Sequence, residues 1–151
     1  MADHDTSELR ESHVDVGSAF VPNPKTAELD PNYADAYVNR GAVYGSMQKF
    51  DLAMGDLNKA LAKDPNNSDG LFNRGAAYYY LGTHDAAMAD FDRSIQLGGK
   101  RAEVYRNRAV LHFLNRDYDK AWADVRMCHK LKGEIPTNFL NALAEESGHG
   151  E

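Results

Sequence analysis

Apolar residues recur along the chain at helical spacing, and the same arrangement returns after every 34 residues. Residues 34–67, 68–101 and 102–135 align without gaps. Each of these units contains two successive apolar stripes with members three or four residues apart, such as Leu71, Gly75 and Tyr78 followed by Ala87 and Phe91. This pattern predicts three pairs of amphipathic helices that stack as repeats.

Polar and helix-breaking residues separate the predicted helices. Aspartate recurs just before the second helix of each pair, at Asp51, Asp85 and Asp119. We interpret these residues as N-caps, whose carboxylates accept the unpaired N–H groups of the first turn. Pro65 ends the first unit, and Gly98-Gly99 precede the third.

The segments on either side of the repeats differ from them in pattern. Pro136 is followed by an apolar stripe from Phe139 to Leu143, which predicts a capping helix within residues 136–151. Residues 1–29 carry some apolar side chains at helical spacing, and this pattern fits a short docking helix or a disordered tail equally well. We therefore expect the repeat body to span residues 30–135.

The residues at fixed places in the repeats form a recognisable set. The set in the first repeat is Tyr37, Gly41, Tyr44, Ala53, Leu57, Ala60 and Pro65, and matching residues recur in the second. Over residues 30–135 the chain resembles the tetratricopeptide repeat family, although His112 stands where an aromatic residue is usual. The resemblance implies an all-α, right-handed α-solenoid of three helix-turn-helix repeats with a C-terminal capping helix. It also implies a scaffold that binds peptides or proteins.

The resemblance further implies which side chains line the concave face, because ligands of this family contact fixed positions of the first helix in each repeat. Carried over, these positions are Asp35, Val38, Ala42, Gly45, Ser46, Asp69, Phe72, Ala76, Tyr79, Tyr80, Glu103, Arg106, Val110, Phe113 and Leu114. Acidic residues mark one edge of this surface, and aromatic residues of the kind enriched in binding hot spots mark the rest. For Tyr79 and Leu114, burial against a neighbouring helix and exposure to a ligand are equally compatible with the sequence.

One branch of the family binds acidic C-terminal peptides of heat-shock chaperones through a clamp of lysine, asparagine and arginine. The corresponding positions here are Val38, Ala42, Asn73, Glu103 and Asn107. Only Asn73 fits this clamp, and Glu103 would repel a carboxylate. The sequence therefore disfavours chaperone-tail binding of that type.

Arginine and aspartate recur together, sixteen residues apart, in the pairs Arg40 and Asp56, Arg74 and Asp90, and Arg108 and Asp124. Because both partners are repeated, we predict internal ion pairs across each helical hairpin rather than ligand contacts.

Candidate catalytic and metal-binding residues are few. His112 and His129 lack a third ligand, and the lone Cys128 occupies a packing position, which favours a buried, unreactive thiol. No nucleophile, base or metal set is left unexplained by the repeat. We therefore predict a protein that is not an enzyme and uses no metal or other cofactor.

Composition and charge narrow the partner class. The chain has 151 residues and a net charge of −6, which disfavours nucleic acid as a partner. It has no apolar run long enough for a membrane span, and its acidic N-terminus is unlike a signal peptide, so we expect a cytoplasmic protein.

The leading functional hypothesis is a non-enzymatic scaffold that binds a peptide segment with apolar or aromatic anchors in the concave groove, with a basic residue set against the acidic edge. The alternative is a homo-oligomeric scaffold that assembles through its N-terminal repeat or tail.

Overall fold

The computed structural model describes residues 33–99 and 101–149. Within these ranges the chain forms helices and no strands: α1 (Tyr33–Ser46), α2 (Phe50–Lys63), α3 (Ser68–Tyr80), α4 (His84–Gln96), α5 (Ala102–Leu114), α6 (Tyr118–Lys130) and α7 (Thr137–Ser147). The predicted all-α solenoid of three helix pairs with a cap is confirmed. The predicted tail or docking helix at residues 1–29 lies outside the described residues.

The helices pack as a row of hairpins, α1 with α2, α3 with α4 and α5 with α6. Each second helix also packs against the first helix of the next hairpin, and α7 closes the row by packing on α6. Leu143 of α7 is fully buried in a cluster with Trp122 and Val125 of α6. The cap therefore covers an apolar face that the third hairpin cannot bury alone.

The predicted N-caps are wrong by two residues. The residues that precede α2, α4 and α6 are Lys49, Thr83 and Asp117, and none of them makes a side-chain capping hydrogen bond. Asp51, Asp85 and Asp119 lie inside the first turn instead. Each turn between paired helices contains one residue with positive φ, and the second helix begins two residues after it. These residues are Gln48, Gly82 and Arg116. The three carboxylates still lie near the positive end of the helix dipole, where they are stabilising.

Glycine allows close contact between the paired helices. A Cβ atom at Gly41 would lie 2.8 Å from Cγ of Leu57, and one at Gly75 would lie 2.7 Å from a ring carbon of Phe91. Both Leu57 and Phe91 are fully buried. The large side chain of the second helix therefore fills the space that the missing side chain of the first helix leaves.

The predicted ion pairs are confirmed in all three hairpins. Arg40 donates two hydrogen bonds to Asp56, at 2.7 and 2.9 Å. Arg74 and Arg108 bind their aspartates, Asp90 and Asp124, in the same two-pronged manner. The aspartates are buried, so the arginine forks satisfy carboxylates that would otherwise be unpaired inside the hairpin.

The third hairpin differs at His112, which replaces Tyr44 and Tyr78 of the first two. The guanidinium carbons of Arg40 and Arg74 lie 5.7 Å from the centres of those tyrosine rings. In contrast, Nε2 of His112 lies 3.6 Å from a carboxylate oxygen of Asp124, and its buried Nδ1 has no hydrogen-bond partner. Burial lowers the pKa of His112 below its ordinary value of 6.5, and this effect exceeds the attraction of Asp124.

This pKa shift predicts a pH-dependent loss of stability. Since His112 binds a proton more weakly when folded, acid favours the unfolded chain, and the free energy of unfolding falls as the pH drops below the ordinary pKa of 6.5. Above that pH His112 is neutral in both states and its contribution is absent. We expect wild type to lose more stability than a His112→Tyr variant between pH 7.5 and 5.5, measured by urea denaturation at both values. Equal losses of stability in the two proteins would contradict the lowered pKa of His112 as the cause.

Candidate binding groove

A groove runs along the first helices of the three repeats and consists of two adjoining hollows. The larger, of about 280 Å³, lies between α1 and α3 and extends to α5. Its lining residues are Gly41, Ala42, Gly45, Ser46, Phe50, Phe72, Asn73, Ala76, Ala77, Tyr80, Arg106 and Asn107. Glycine and alanine predominate on α1, so this end of the groove has room for the side chains of a bound segment.

The smaller hollow, of about 170 Å³, lies between α3, α5 and the cap. Its lining residues are Tyr79, Tyr80, Arg106, Asn107, Val110, Pro136 and Phe139. Tyr80, Arg106 and Asn107 line both hollows, which makes the groove continuous from the first repeat to the capping helix.

Stacked aromatic rings form one wall of the groove. Phe50 of α2 stacks on Tyr80 of the next repeat, with ring centres 5.0 Å apart and planes inclined by 12°. Tyr79 contacts Tyr80 edge-on at 5.2 Å. These contacts hold the Tyr80 ring while leaving 67% of the residue exposed. An exposed ring that packs on two neighbouring rings is a favourable anchor for a ligand side chain.

The exposed large apolar side chains of the described residues all lie at one end of the hairpins. Tyr80 and Leu114 end their helices, Met47 and Leu81 follow in the turns, and Leu52 lies in the first turn of α2. The groove therefore opens onto an apolar rim at the hairpin turns, and Tyr80 belongs to both surfaces.

The sequence predicts acidic residues along one edge of the groove, and the structure shows where these residues lie. Asp69 forms an ion pair with Arg101 at 2.9 Å, and Asp35 accepts a hydrogen bond from Asn67 at 3.1 Å. Neither residue lines the hollows, nor does the exposed Glu103. Arg106 is the charged residue in the lining of both hollows. The three acidic residues of the predicted edge are exposed and lie outside these two hollows.

Most of the other predicted lining residues do lie in the groove: Ala42, Gly45, Ser46, Phe72, Ala76, Tyr79, Tyr80, Arg106 and Val110. Val38 does not, because it is buried in the core and its Cγ2 would lie 3.2 Å from a Cβ atom at Gly70. Phe113 packs on Phe139 of the cap, with ring centres 5.6 Å apart. Leu114 is exposed at the rim, and Tyr79 is half-buried.

Sequence reasoning missed several lining residues. The resemblance identifies Asn73 and Asn107 only as clamp positions, and their recurrence with the 34-residue period beside the arginines is a further signal for them. Phe50, Pro136 and Phe139 come from a second helix and from the cap. Their place in the groove depends on how neighbouring elements stack, which the repeat pattern does not give.

The described residues contain no cluster of histidine, cysteine and acidic side chains that could hold a metal ion. Cys128 is buried, and burial raises the pKa of its thiol, which disfavours the reactive thiolate. In the same part of the chain every helix is too short or too polar to cross a bilayer.

Two family models, both described as Tetratricopeptide repeat, match residues 34–67 and 57–89. The first match has the same bounds as the first repeat found in the sequence. Residues 34–89 belong to the tetratricopeptide repeat family. No curated protein matches it in sequence.

Solved structures share the tetratricopeptide repeat fold. The first TPR of Spaghetti (RPAP3) bound to the HSP90 peptide SRMEEVD is 23% identical, with a TM-score of 0.70 over 79% of this chain and 96% of that one. The first TPR domain of human RPAP3 is 23% identical, with a TM-score of 0.69 over 79% and 95%. MamA is 21% identical, with a TM-score of 0.66 over 82% and 69%. At these identities the likeness shows the fold.

Proposed function

We propose that this tetratricopeptide repeat protein is a non-enzymatic interaction scaffold, and that its groove binds a peptide segment of a partner protein through apolar and aromatic anchors. The observation that carries the proposal is the exposed Tyr80 ring, held by stacking on Phe50, above a floor of small residues. An exposed aromatic ring beside empty, mostly neutral space offers a site for a ligand side chain rather than for a reaction.

Polar groups along the floor suit the backbone of such a segment. The side chains of Asn73 and Asn107 line the larger hollow, and an amide can both donate and accept a hydrogen bond. The side-chain amide of Asn73 donates to the carbonyl of Asp69 at 2.9 Å, and its oxygen can accept a further hydrogen bond. The groove can therefore pair with peptide groups while its rings hold side chains.

A neighbour of the same fold supports the ligand class. The first TPR of RPAP3 is bound to the HSP90 peptide SRMEEVD, so a protein of this fold binds a short peptide. The clamp positions discussed above hold Val38, Ala42 and Glu103 here, and Val38 is buried. We therefore propose a peptide ligand of different chemistry for this chain.

A peptide-display selection tests the proposal. Random heptapeptides selected on wild type should bind at least about tenfold more weakly to Tyr80→Ala, because truncating an aromatic hot-spot residue removes about 2 kcal/mol or more of binding free energy. Ala76→Glu, which places a charge on the groove floor, should have a similar effect. Dissociation constants measured by isothermal titration calorimetry provide the readout.

The matched control is Ala89→Glu, which makes the same change at an exposed position on α4, away from the groove. It should bind the selected peptides as wild type does. Thermal melts should show that all three variants are folded. Selected peptides that bind Tyr80→Ala and Ala76→Glu with unchanged affinity would place the binding site elsewhere and overturn the proposal.

A further inference from the structure

The face of α1 turned away from the other repeats lacks the cover that the matching faces of α3 and α5 have. In the described part of the chain no hairpin precedes α1, whereas α2 packs on α3 and α4 packs on α5. Ala36 and Val43 of α1 are partly exposed. The residues at the same two places of α3 and α5 are buried: Gly70, Ala77, Val104 and Leu111. Ala36 and Val43 therefore form an apolar strip on α1 that is left open where a preceding hairpin would stack.

Polar links between repeats show the same difference at α1. Arg74 and Arg108 each donate from Nη1 to a side chain sixteen residues earlier, on the preceding hairpin, at 3.1 and 3.0 Å. At the same separation before Arg40 the chain has Pro24, whose side chain cannot accept a hydrogen bond. We therefore expect the cover of α1 to bind through apolar contacts.

The chain that leads into α1 continues the 34-residue period of the repeats. Every second helix carries an alanine followed by a large apolar residue at the same place: Ala53-Met54, Ala87-Met88 and Ala121-Trp122. The same spacing upstream reaches Ala19-Phe20, and Asp30-Pro31 match Asp64-Pro65. Residues 19–31 thus carry the apolar pattern of a second helix, although Pro22 and Pro24 exclude one unbroken helix.

The large apolar residue that follows the alanine packs toward the next element of the stack. Met88 packs on the buried cluster that α4 shares with α5, and Trp122 lies in the cluster that the cap α7 completes. The residue after each pair is instead exposed: Gly55, Ala89 and Ala123. This register predicts that Phe20 is directed at α1 and Val21 at solvent.

We propose that residues 19–31 dock on α1 of their own chain, with the Phe20 ring covering the apolar strip of Ala36 and Val43. The same length of chain separates Phe20 from Ala36 as separates Met88 from Val104, so the connection is long enough. Because the tether is short, the contact within one chain loses less entropy than the same contact with a second copy. The segment gives the first repeat the cover that α7 gives the third, and this role does not depend on the ligand of the groove.

Photocrosslinking of the full chain tests this contact. The aromatic amino acid p-benzoylphenylalanine takes the place of Phe20 and, on irradiation, bonds to C–H groups that it touches. Isotope-labelled and unlabelled chains are mixed, so that mass spectrometry separates links within one chain from links between chains. We expect links from position 20 to α1 of the same chain. Links to α1 of another chain, links to the groove alone, or the absence of protein links would overturn the proposal.

The matched control carries the same amino acid in place of Val21 and should link to α1 at least about tenfold less, because neighbouring side chains point to different faces. Val43→Glu should reduce the link from position 20 to a similar extent, since the contact would bury an unpaired carboxylate. Ala89→Glu, at an exposed position of α4, should leave the link unchanged. Thermal melts should show that these variants are folded. Equal yields from positions 20 and 21 would show that Phe20 is not the anchor.

The stability of the chain with natural amino acids provides a second measurement. Phe20→Ala should lower the urea midpoint by about 0.5 M or more, because it removes apolar contacts from the folded state, whereas Val21→Ala should leave the midpoint unchanged. Phe20→Ala and Val43→Ala together should lower the midpoint by less than the sum of their separate effects, since both remove the same contact. A Phe20→Ala midpoint equal to that of wild type would contradict the docking. None of these measurements uses a ligand, so a negative result leaves the proposed function of the groove untouched.

Discussion

Replacing Arg108 with methionine should destabilise the protein by about 3–5 kcal/mol, the usual cost of removing one partner of a buried ion pair. Arg108 donates two hydrogen bonds to Asp124 at 2.8 Å and a third to Asp92 of the preceding repeat at 3.0 Å. Asp124 is only 3% exposed, so the variant leaves a buried carboxylate without its cation. The same substitution also removes a link between the second and third repeats.

The double variant Arg108→Met, Asp124→Leu should recover most of this loss, because apolar side chains of similar size can replace a buried pair at little cost. Urea denaturation followed by far-UV circular dichroism and by the fluorescence of the single tryptophan, Trp122, measures the change. Since Trp122 lies in α6, its transition reports the third hairpin directly. The control is Arg126→Met, at an exposed position of α6, which should change stability by less than about 0.5 kcal/mol.

A double variant no more stable than Arg108→Met would show that the unpaired carboxylate is not the cause of the loss. The destabilisation would then come from the missing contact with Asp92 or from lost packing of the arginine stem over Tyr105, whose ring centre lies 5.7 Å from the guanidinium carbon.

These ion pairs could be predicted from the sequence because both partners recur with the period of the fold. A sixteen-residue separation places the two partners on facing helices of one hairpin, and this placement does not depend on how neighbouring hairpins pack. Gly75 and Phe91 also face each other within one repeat. Contacts inside a hairpin depend on helix geometry alone, and a 34-residue repeat specifies that geometry.

The parts of the groove that depend on stacking between repeats could not be predicted in the same way. Val38 becomes buried because Gly70 of the next hairpin packs on it, and Asp69 of α3 is paired because Arg101, the residue just before α5, reaches back to it. Phe139 lines the groove because the cap packs beside the first helix of the third hairpin, where Phe139 contacts Phe113. These contacts depend on small rotations between neighbouring repeats. The 34-residue period of the sequence does not predict those rotations.

Replacing Phe91 with alanine should destabilise the protein by about 3–5 kcal/mol, the usual cost of truncating a fully buried phenylalanine. The ring packs on Gly75 within the second hairpin and lies 6.2 Å, centre to centre, from Phe72 on the groove. Its removal leaves a cavity between α3 and α4 that these helices can close only in part. Urea denaturation of the full chain measures the loss.

The effect of Gly75→Ala on the free energy of unfolding should reverse its sign when Phe91 is replaced by alanine. In wild type, Gly75→Ala places a Cβ atom 2.7 Å from the Phe91 ring, and overpacking of this kind costs about 1–3 kcal/mol. In the Phe91→Ala background the ring is absent, and alanine should stabilise α3 by about 1 kcal/mol through its higher helix propensity. The control is Gly55→Ala on α2, where an added Cβ atom meets nothing within 4 Å. This substitution should be stabilising in both backgrounds.

A double-mutant cycle of Gly75→Ala with Phe91→Ala therefore measures how closely the two helices of a hairpin approach. Destabilisation by Gly75→Ala in both backgrounds would mean that the limiting contact is the carbonyl oxygen of Ala87, at 3.3 Å, rather than the ring. The third repeat provides the natural comparison, because Ala109 there faces the α6 residue Val125, which is smaller than phenylalanine. In the third repeat the first helix carries a methyl group, and the side chain opposite it on the second helix is the smaller valine. The cycle should show the same relation in the second repeat, where alanine at position 75 becomes favourable once Phe91 is replaced by a smaller residue.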